Sequence, residues 1–90
     1  MKVKNLNNTS GRKAPKGYAS WLDYWQQQMK SYGNTKCRNN SCTSYAEVGG
    51  HVFSPDGRTS DHWYIVAICK SCNAVAVSYD VDVNSLIRIT

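Results

Sequence analysis

Four cysteines occur as two short pairs, and their spacing constrains the fold more than any other feature of the sequence. The first pair has four residues between its members and the second has two, and 26 residues separate the pairs, which is enough for one β-hairpin. When a fold brings two such pairs together, four thiolates can surround one zinc ion, which prefers a tetrahedron of soft donors. The sequence therefore predicts a structural Zn²⁺ site. Its ligands are Cys37, Cys42, Cys69 and Cys72.

Two disulfides are the alternative use of four cysteines, and the choice depends on the redox compartment. Residues 1–8 are polar and contain no apolar segment typical of a secretion signal. No stretch approaches the roughly 20 apolar residues that span a bilayer. We therefore expect a cytoplasmic protein with no membrane partner, in which paired cysteines favour a metal.

The length of 90 residues favours one domain, because two separate apolar cores could not each bury enough surface to offset chain entropy. Even a single core is small here, since large apolar side chains are confined to a few short segments. A structural zinc site contributes on the order of 10 kcal/mol to the folding of a small domain. The predicted metal site is thus the feature that lets so short a chain fold.

The net charge of +5 is concentrated at the N-terminus. Residues 1–20 contain no acidic residue, whereas acidic and basic residues balance in the remainder. We predict a flexible basic arm over residues 1–17, where large apolar groups are scarce, and a single zinc-binding domain over residues 18–90. The arm is either a solvated tail or a segment that contacts phosphates of a nucleic acid or an acidic partner. Its basic residues are Lys2, Lys4, Arg12, Lys13 and Lys16.

One amphipathic helix is predicted to begin after Ser20, because this hydroxyl precedes the Asp23 carboxylate by three residues in the capping-box pattern. The helix covers residues 21–30, and Gly33 is the predicted stop. Its apolar positions recur at helical spacing on one stripe. They are Leu22, Trp25 and Met29.

A β-hairpin is predicted over residues 45–68, because segments rich in β-branched and aromatic residues flank the turn sequence at 54–57. A Gly-Gly pair at 49–50 permits a bulge or a close approach of the backbone to the cysteine site. Residues 74–83 predict a strand, or a helical turn followed by a strand, and residues 85–90 a closing strand.

The cysteine pairs and the intervening hairpin, about residues 37–74, resemble the treble-clef zinc finger. Residues 63–73 are similar to the segment that enters the last helix of the His-Asn-His (HNH) nucleases. In that family a metal ligand and a general-base histidine are adjacent on the hairpin, and these positions match Gly50 and His51. The resemblance implies His51 as the base and Asn73, at the family's final ligand position, as a ligand for Mg²⁺ or Mn²⁺. Two alternative interpretations of His51 stay open: a partly buried histidine with a structural role, or a zinc ligand in place of a cysteine.

We accordingly predict an α+β fold: a small zinc-stabilised domain with a treble-clef-like or zinc-ribbon-like hairpin core and one amphipathic N-terminal helix. Three functions stay open. The chain is a binding module for nucleic acid or a nucleic-acid-associated protein, a phage or mobile-element protein that inhibits or recruits a host protein, or a degenerate HNH-type nuclease. It also resembles small bacterial and phage proteins with a Trp-rich helix before such a module. The predicted surface for a host protein consists of Trp21, Tyr24, Trp25 and Trp63.

Overall fold

A computed structural model of the chain describes residues 1–6, 13–55 and 62–89. Within these residues five strands form one antiparallel sheet in the order β4-β1-β2-β3-β5. The strands are β1 (Lys2–Asn5), β2 (Val48–Phe53), β3 (Trp63–Ile68), β4 (Tyr79–Asp80) and β5 (Ile87–Arg88). The helical elements are α1 (Trp21–Met29), the single turn α2 (Lys70–Asn73) and a 3₁₀ turn (Val83–Ser85). The predicted α+β class is confirmed.

Helix α1 begins and ends where nearby groups satisfy its free backbone amides and carbonyls. The Ser20 hydroxyl accepts a hydrogen bond from the Asp23 amide at 3.0 Å, as the capping box predicts. The Asp23 carboxylate accepts a bond from the Ala19 amide at 3.0 Å. The predicted stop at Gly33 is wrong, because Lys30 already adopts a left-handed conformation, with φ of 53°, and closes the last turn.

The predicted hairpin is confirmed as β2 and β3, which pair in an unbroken register of six residue pairs. The Gly-Gly pair lies inside β2 without a bulge. Gly49 permits a close approach of α1, since a Cβ atom there would lie 2.6 Å from the Trp21 carbonyl carbon. The prediction that the Gly-Gly pair lets the backbone approach the cysteine site is therefore corrected. At Gly49 the close neighbour is the backbone of α1. The predicted turn at 54–57 lies partly outside the described residues.

The first strand shows that residues 2–5 do not belong to a flexible arm. β1 pairs with β2 on one side and with β4 on the other. Val3 is completely buried, and the Asn5 side-chain amide donates to the Cys72 carbonyl at 2.8 Å. The expectation of an arm over residues 1–17 therefore does not hold for this segment, because its pairing partners are distant in the sequence and leave no local signal.

The chain after the second cysteine pair forms only short elements. The prediction for residues 74–83 is confirmed only as a strand, the two-residue β4. No helical turn precedes β4 within that range, because α2 ends at Asn73 and residues 74–78 are exposed. The closing strand is confirmed as β5, which pairs with β3. No helix in the described part of the chain is long and apolar enough to cross a membrane.

The sheet separates two clusters of buried apolar side chains among the described residues. On one face, Ile65 and Ala67 of β3 contact Trp25 of α1. On the other face a larger cluster contains the cysteines, so the site lies in the core on the side opposite α1. Its buried members are Val3, Cys37, Val52, Val66, Ile68, Cys69, Cys72, Tyr79 and Val81.

Candidate metal centre

All four cysteine sulfurs converge, as the spacing predicts. They lie within 4.8 Å of one another. The sulfurs of Cys42 and Cys69 are 3.9 Å apart. A regular tetrahedron with zinc–sulfur bonds of about 2.3 Å has edges of about 3.8 Å. All four thiols are free rather than joined in disulfides, so the cluster can hold a metal ion such as zinc.

Two separate parts of the fold supply the sulfurs. Cys37 and Cys42 flank a tight loop, in which the Cys42 amide donates to the Asn39 carbonyl at 2.9 Å and the Asn39 side-chain oxygen accepts a further amide at 3.0 Å. Cys69 directly follows β3 and caps α2, which places Cys72 one turn later. Three of the cysteines are buried, and Cys42 is half-buried. The site is therefore enclosed by protein except near Cys42.

Hydrogen-bond donors point at the sulfurs. The Cys69 amide donates to Cys37 Sγ at 3.3 Å, and the Cys72 amide donates to Cys69 Sγ at 3.4 Å. The Asn39 Nδ2 group donates to Cys72 Sγ at 3.4 Å. Four thiolates carry more negative charge than a divalent ion neutralises, and such donors offset the excess and orient the ligands.

The thiols differ in acidity because they differ in environment. Burial raises the pKa of the Cys37 thiol and raises that of Cys72 to about 12. A backbone hydrogen bond from Ser44 lowers the pKa of the Cys42 thiol to about 7. Burial also raises the pKa of Tyr79, whose ring lies in the same cluster and whose hydroxyl donates to an Asn5 oxygen at 2.7 Å. Because a metal ligand must be a thiolate, the buried thiols lose protons when a metal binds.

The structure does not bring His51 and Asn73 together. His51 is 5 % exposed, and its ring packs edge-on against Trp21, with centroids 4.9 Å apart, on the α1 side of β2. A Cβ atom on the neighbouring residue Gly50 would lie 2.9 Å from Asn73 Oδ1. Successive residues of a strand point to opposite faces. The sheet therefore separates the two side chains that the HNH resemblance implies as a pair.

The four aromatic residues of the predicted host-protein surface lie in different environments. Trp25 is 1 % exposed, and its indole N–H donates to the Ser85 carbonyl at 2.7 Å, so it belongs to the core. Trp21 and Tyr24 are half-buried on α1 with their rings edge-on, 5.7 Å apart. Trp63 is half-buried at the start of β3. The structure thus leaves Trp25 out of any such surface.

The basic residues of the predicted arm are also dispersed. Lys2 and Lys4 belong to β1, and the Lys2 ammonium lies 3.6 Å from the Asp80 carboxylate in an exposed ion pair of little energetic weight. Lys13 and Lys16 are exposed in the segment that leads into α1. Arg12 lies outside the described residues.

Comparison with protein-family models, with curated proteins and with solved structures finds no match to this chain. The resemblance to treble-clef fingers and HNH nucleases therefore remains a prediction, and the assignment of the metal site depends on the cysteine geometry.

Sequence reasoning missed two asparagines that support the site. Asn39 donates to a cysteine sulfur, and its position between the first two cysteines in a polar, turn-prone loop is a signal that could have identified it. Asn5, on β1 near the N-terminus, donates a side-chain hydrogen bond to the Cys72 carbonyl. No local pattern marks that contact.

Proposed function

We propose that this chain is a small domain held together by one structural zinc ion and that it binds nucleic acid without catalysing a reaction on it. The observation that carries the zinc role is the convergence of four cysteine sulfurs from two distant segments. Four protein thiolates fill a tetrahedral coordination sphere, whereas catalytic zinc keeps a position open for water or substrate. In this proposal the ion contributes to folding only.

Metal binding would join the loop of residues 37–42 to the end of β3, two segments that meet in the larger core cluster. Zinc binding by small finger domains contributes about 10–16 kcal/mol. An ordinary domain is stable by about 5–15 kcal/mol in total. We therefore expect folding to require the metal.

The charge of the chain favours nucleic acid as the partner. The net charge is +5 and the isoelectric point is about 9.2. Exposed lysines, among them Lys13 and Lys16, stand in an N-terminal stretch that contains no acid. Basic surfaces attract phosphate backbones and release their condensed counterions.

The two other functions have less support. An HNH-type nuclease needs its base and its metal ligand around one ion, and the sheet lies between His51 and Asn73. The predicted host-protein surface of four aromatic residues keeps only three of them, because Trp25 is buried in the core.

The salt dependence of binding tests the proposed function. Fluorescence anisotropy of the zinc-loaded chain with labelled oligonucleotides should show affinity that falls roughly 10- to 50-fold between about 50 and 200 mM salt, as expected for about three phosphate contacts. The chelated chain should not bind. Absence of binding by the folded, zinc-loaded chain would contradict the proposal. Capture of one specific protein that persists at high salt would support the host-protein alternative.

A further inference from the structure

Two adjoining cavities lie beside the first turn of α1, and both are lined by Pro15 and Trp21. Their volumes are about 570 and 510 Å³. We call them together the α1 groove. The first is lined by Pro15, Trp21, Tyr24, Arg88 and Ile89. The second is lined by residues 13–21.

The segment that carries the groove lysines is held against α1. The Tyr18 amide donates to the Pro15 carbonyl at 3.1 Å and closes a turn, in which Gly17 has the positive φ, 96°, that a type II turn requires of its third residue. The Tyr18 ring packs edge-on against Tyr24 with centroids 4.9 Å apart, and its hydroxyl accepts a bond from Gln28 at 3.2 Å. The groove is thus a built feature of the fold.

The α1 groove combines positive charge with aromatic rings. Lys13 and Lys16 are exposed at its rim, and Trp21 and Tyr24 line its wall. Asp23 is the acid of α1, and its carboxylate already accepts two hydrogen bonds at the start of the helix. Phosphates are attracted to the lysines, and bases can stack on the rings.

The groove suits unpaired strands better than a duplex. Helix α1 contains no lysine or arginine, so it lacks the basic side chains that a recognition helix carries into the major groove. Aromatic rings contact base faces only where the bases are unpaired. We propose that the α1 groove binds single-stranded nucleic acid, with Lys13 and Lys16 on phosphates and Trp21 and Tyr24 on bases. This inference rests on the proposed nucleic-acid function and assigns it a site.

A matched pair of lysine variants tests the site. Anisotropy is measured for the zinc-loaded chain with an oligodeoxythymidine of about ten nucleotides, a size within the range for small single-strand-binding folds. Lys13→Gln/Lys16→Gln should weaken binding about tenfold and reduce the salt slope by about 1.4, because each lysine on a phosphate of a single strand contributes about 0.7. The control is Lys36→Gln/Lys70→Gln, which removes the same charge outside the groove. It should leave the slope unchanged.

A tyrosine variant tests base stacking against simple charge attraction. Tyr24→Leu should weaken binding of the single strand about fivefold or more and leave binding of heparin, a polyanion without bases, unchanged. The wild-type chain should also bind the single strand more tightly than a duplex of equal length.

The outcomes distinguish a failure of the α1 groove as the binding site from a failure of the proposed nucleic-acid function. If the chain binds nucleic acid but the two lysine pairs behave alike, or if duplex and single strand bind equally, the groove is not the site and the proposed function stands without it. If the folded, zinc-loaded chain binds neither form, both the groove and the proposed function are overturned.

Discussion

The Asn39 side-chain amide donates to the Cys72 sulfur at 3.4 Å, so a residue between the first two cysteines contacts a ligand from the second pair. The oxygen of the same side chain accepts the Ser41 amide at 3.0 Å. The backbone of Asn39 also forms a bridge with Val81, next to β4. One residue therefore fixes the shape of its own loop and links it to the other half of the cysteine cluster.

Replacing Asn39 by aspartate should weaken zinc binding about 10- to 100-fold, the usual effect of losing an outer-shell partner. Aspartate keeps an oxygen for the Ser41 amide but replaces the N–H donor with an anionic oxygen beside the Cys72 thiolate. Competition with a chromophoric chelator measures the affinity. Asn40→Asp adds the same charge at the next, exposed position and serves as the control. Equal losses in the two variants would show that the amide–sulfur contact contributes nothing.

Alanine at Gly49 should destabilise the domain by about 1–3 kcal/mol, as overpacking usually does. The new Cβ would lie 2.6 and 2.7 Å from backbone atoms of Trp21 and Leu22, so α1 itself must move. Gly50→Ala should cost less, because its nearest obstacle is the end of the Ile68 side chain, at 2.5 Å. Urea unfolding of the zinc-loaded variants gives the loss in unfolding free energy for each. A larger loss for Gly50→Ala than for Gly49→Ala would contradict the close packing of α1 against β2 at Gly49.

Zinc affinity should fall steeply as the pH is lowered. The pKa values of the Cys37 and Cys72 thiols are raised by burial, so both are protonated at neutral pH and release protons when the metal binds. Below pH 7 protonation of Cys42, with a pKa of about 7, steepens the dependence. The stability that the metal confers is thus present at high pH and lost at low pH. We expect a fall of about 100-fold or more per pH unit for two or more protons released. A zinc affinity that stays constant between pH 8 and 6 would contradict the release of protons on metal binding.

The chain should not cut DNA. Supercoiled plasmid incubated with the zinc-loaded protein and Mg²⁺ or Mn²⁺ should stay intact, because His51 and Asn73 lie on opposite faces of the sheet. His51→Gln and Asn73→Ala should behave like the wild type. Nicking that is present in the wild type and lost in both variants would show that the two residues act together.

Local patterns predicted the elements whose signals lie within a few residues of one another. The start of α1 was predictable because the Ser20 hydroxyl and the Asp23 amide are three residues apart. The convergence of the cysteines was predictable as well, because each pair is local and one hairpin is enough to join the pairs.

Contacts between distant segments could not be predicted in this way. β1 contains one buried apolar residue, Val3, and its neighbours in the sheet begin more than forty residues later. The HNH resemblance aligned His51 and Asn73 by position along the chain. It carried no information about the face of the sheet on which each side chain lies. Successive residues of β2 point to opposite faces, and Asn73 lies on the face of Gly50 rather than on that of His51.

Native mass spectrometry combined with circular dichroism tests the role of the cysteine cluster most directly. We expect one zinc ion per chain, four reduced thiols, and loss of the folded signal when a strong chelator removes the ion. A chain that is cooperatively folded without metal, or whose sulfurs are joined to one another, would contradict a structural zinc site at Cys37, Cys42, Cys69 and Cys72.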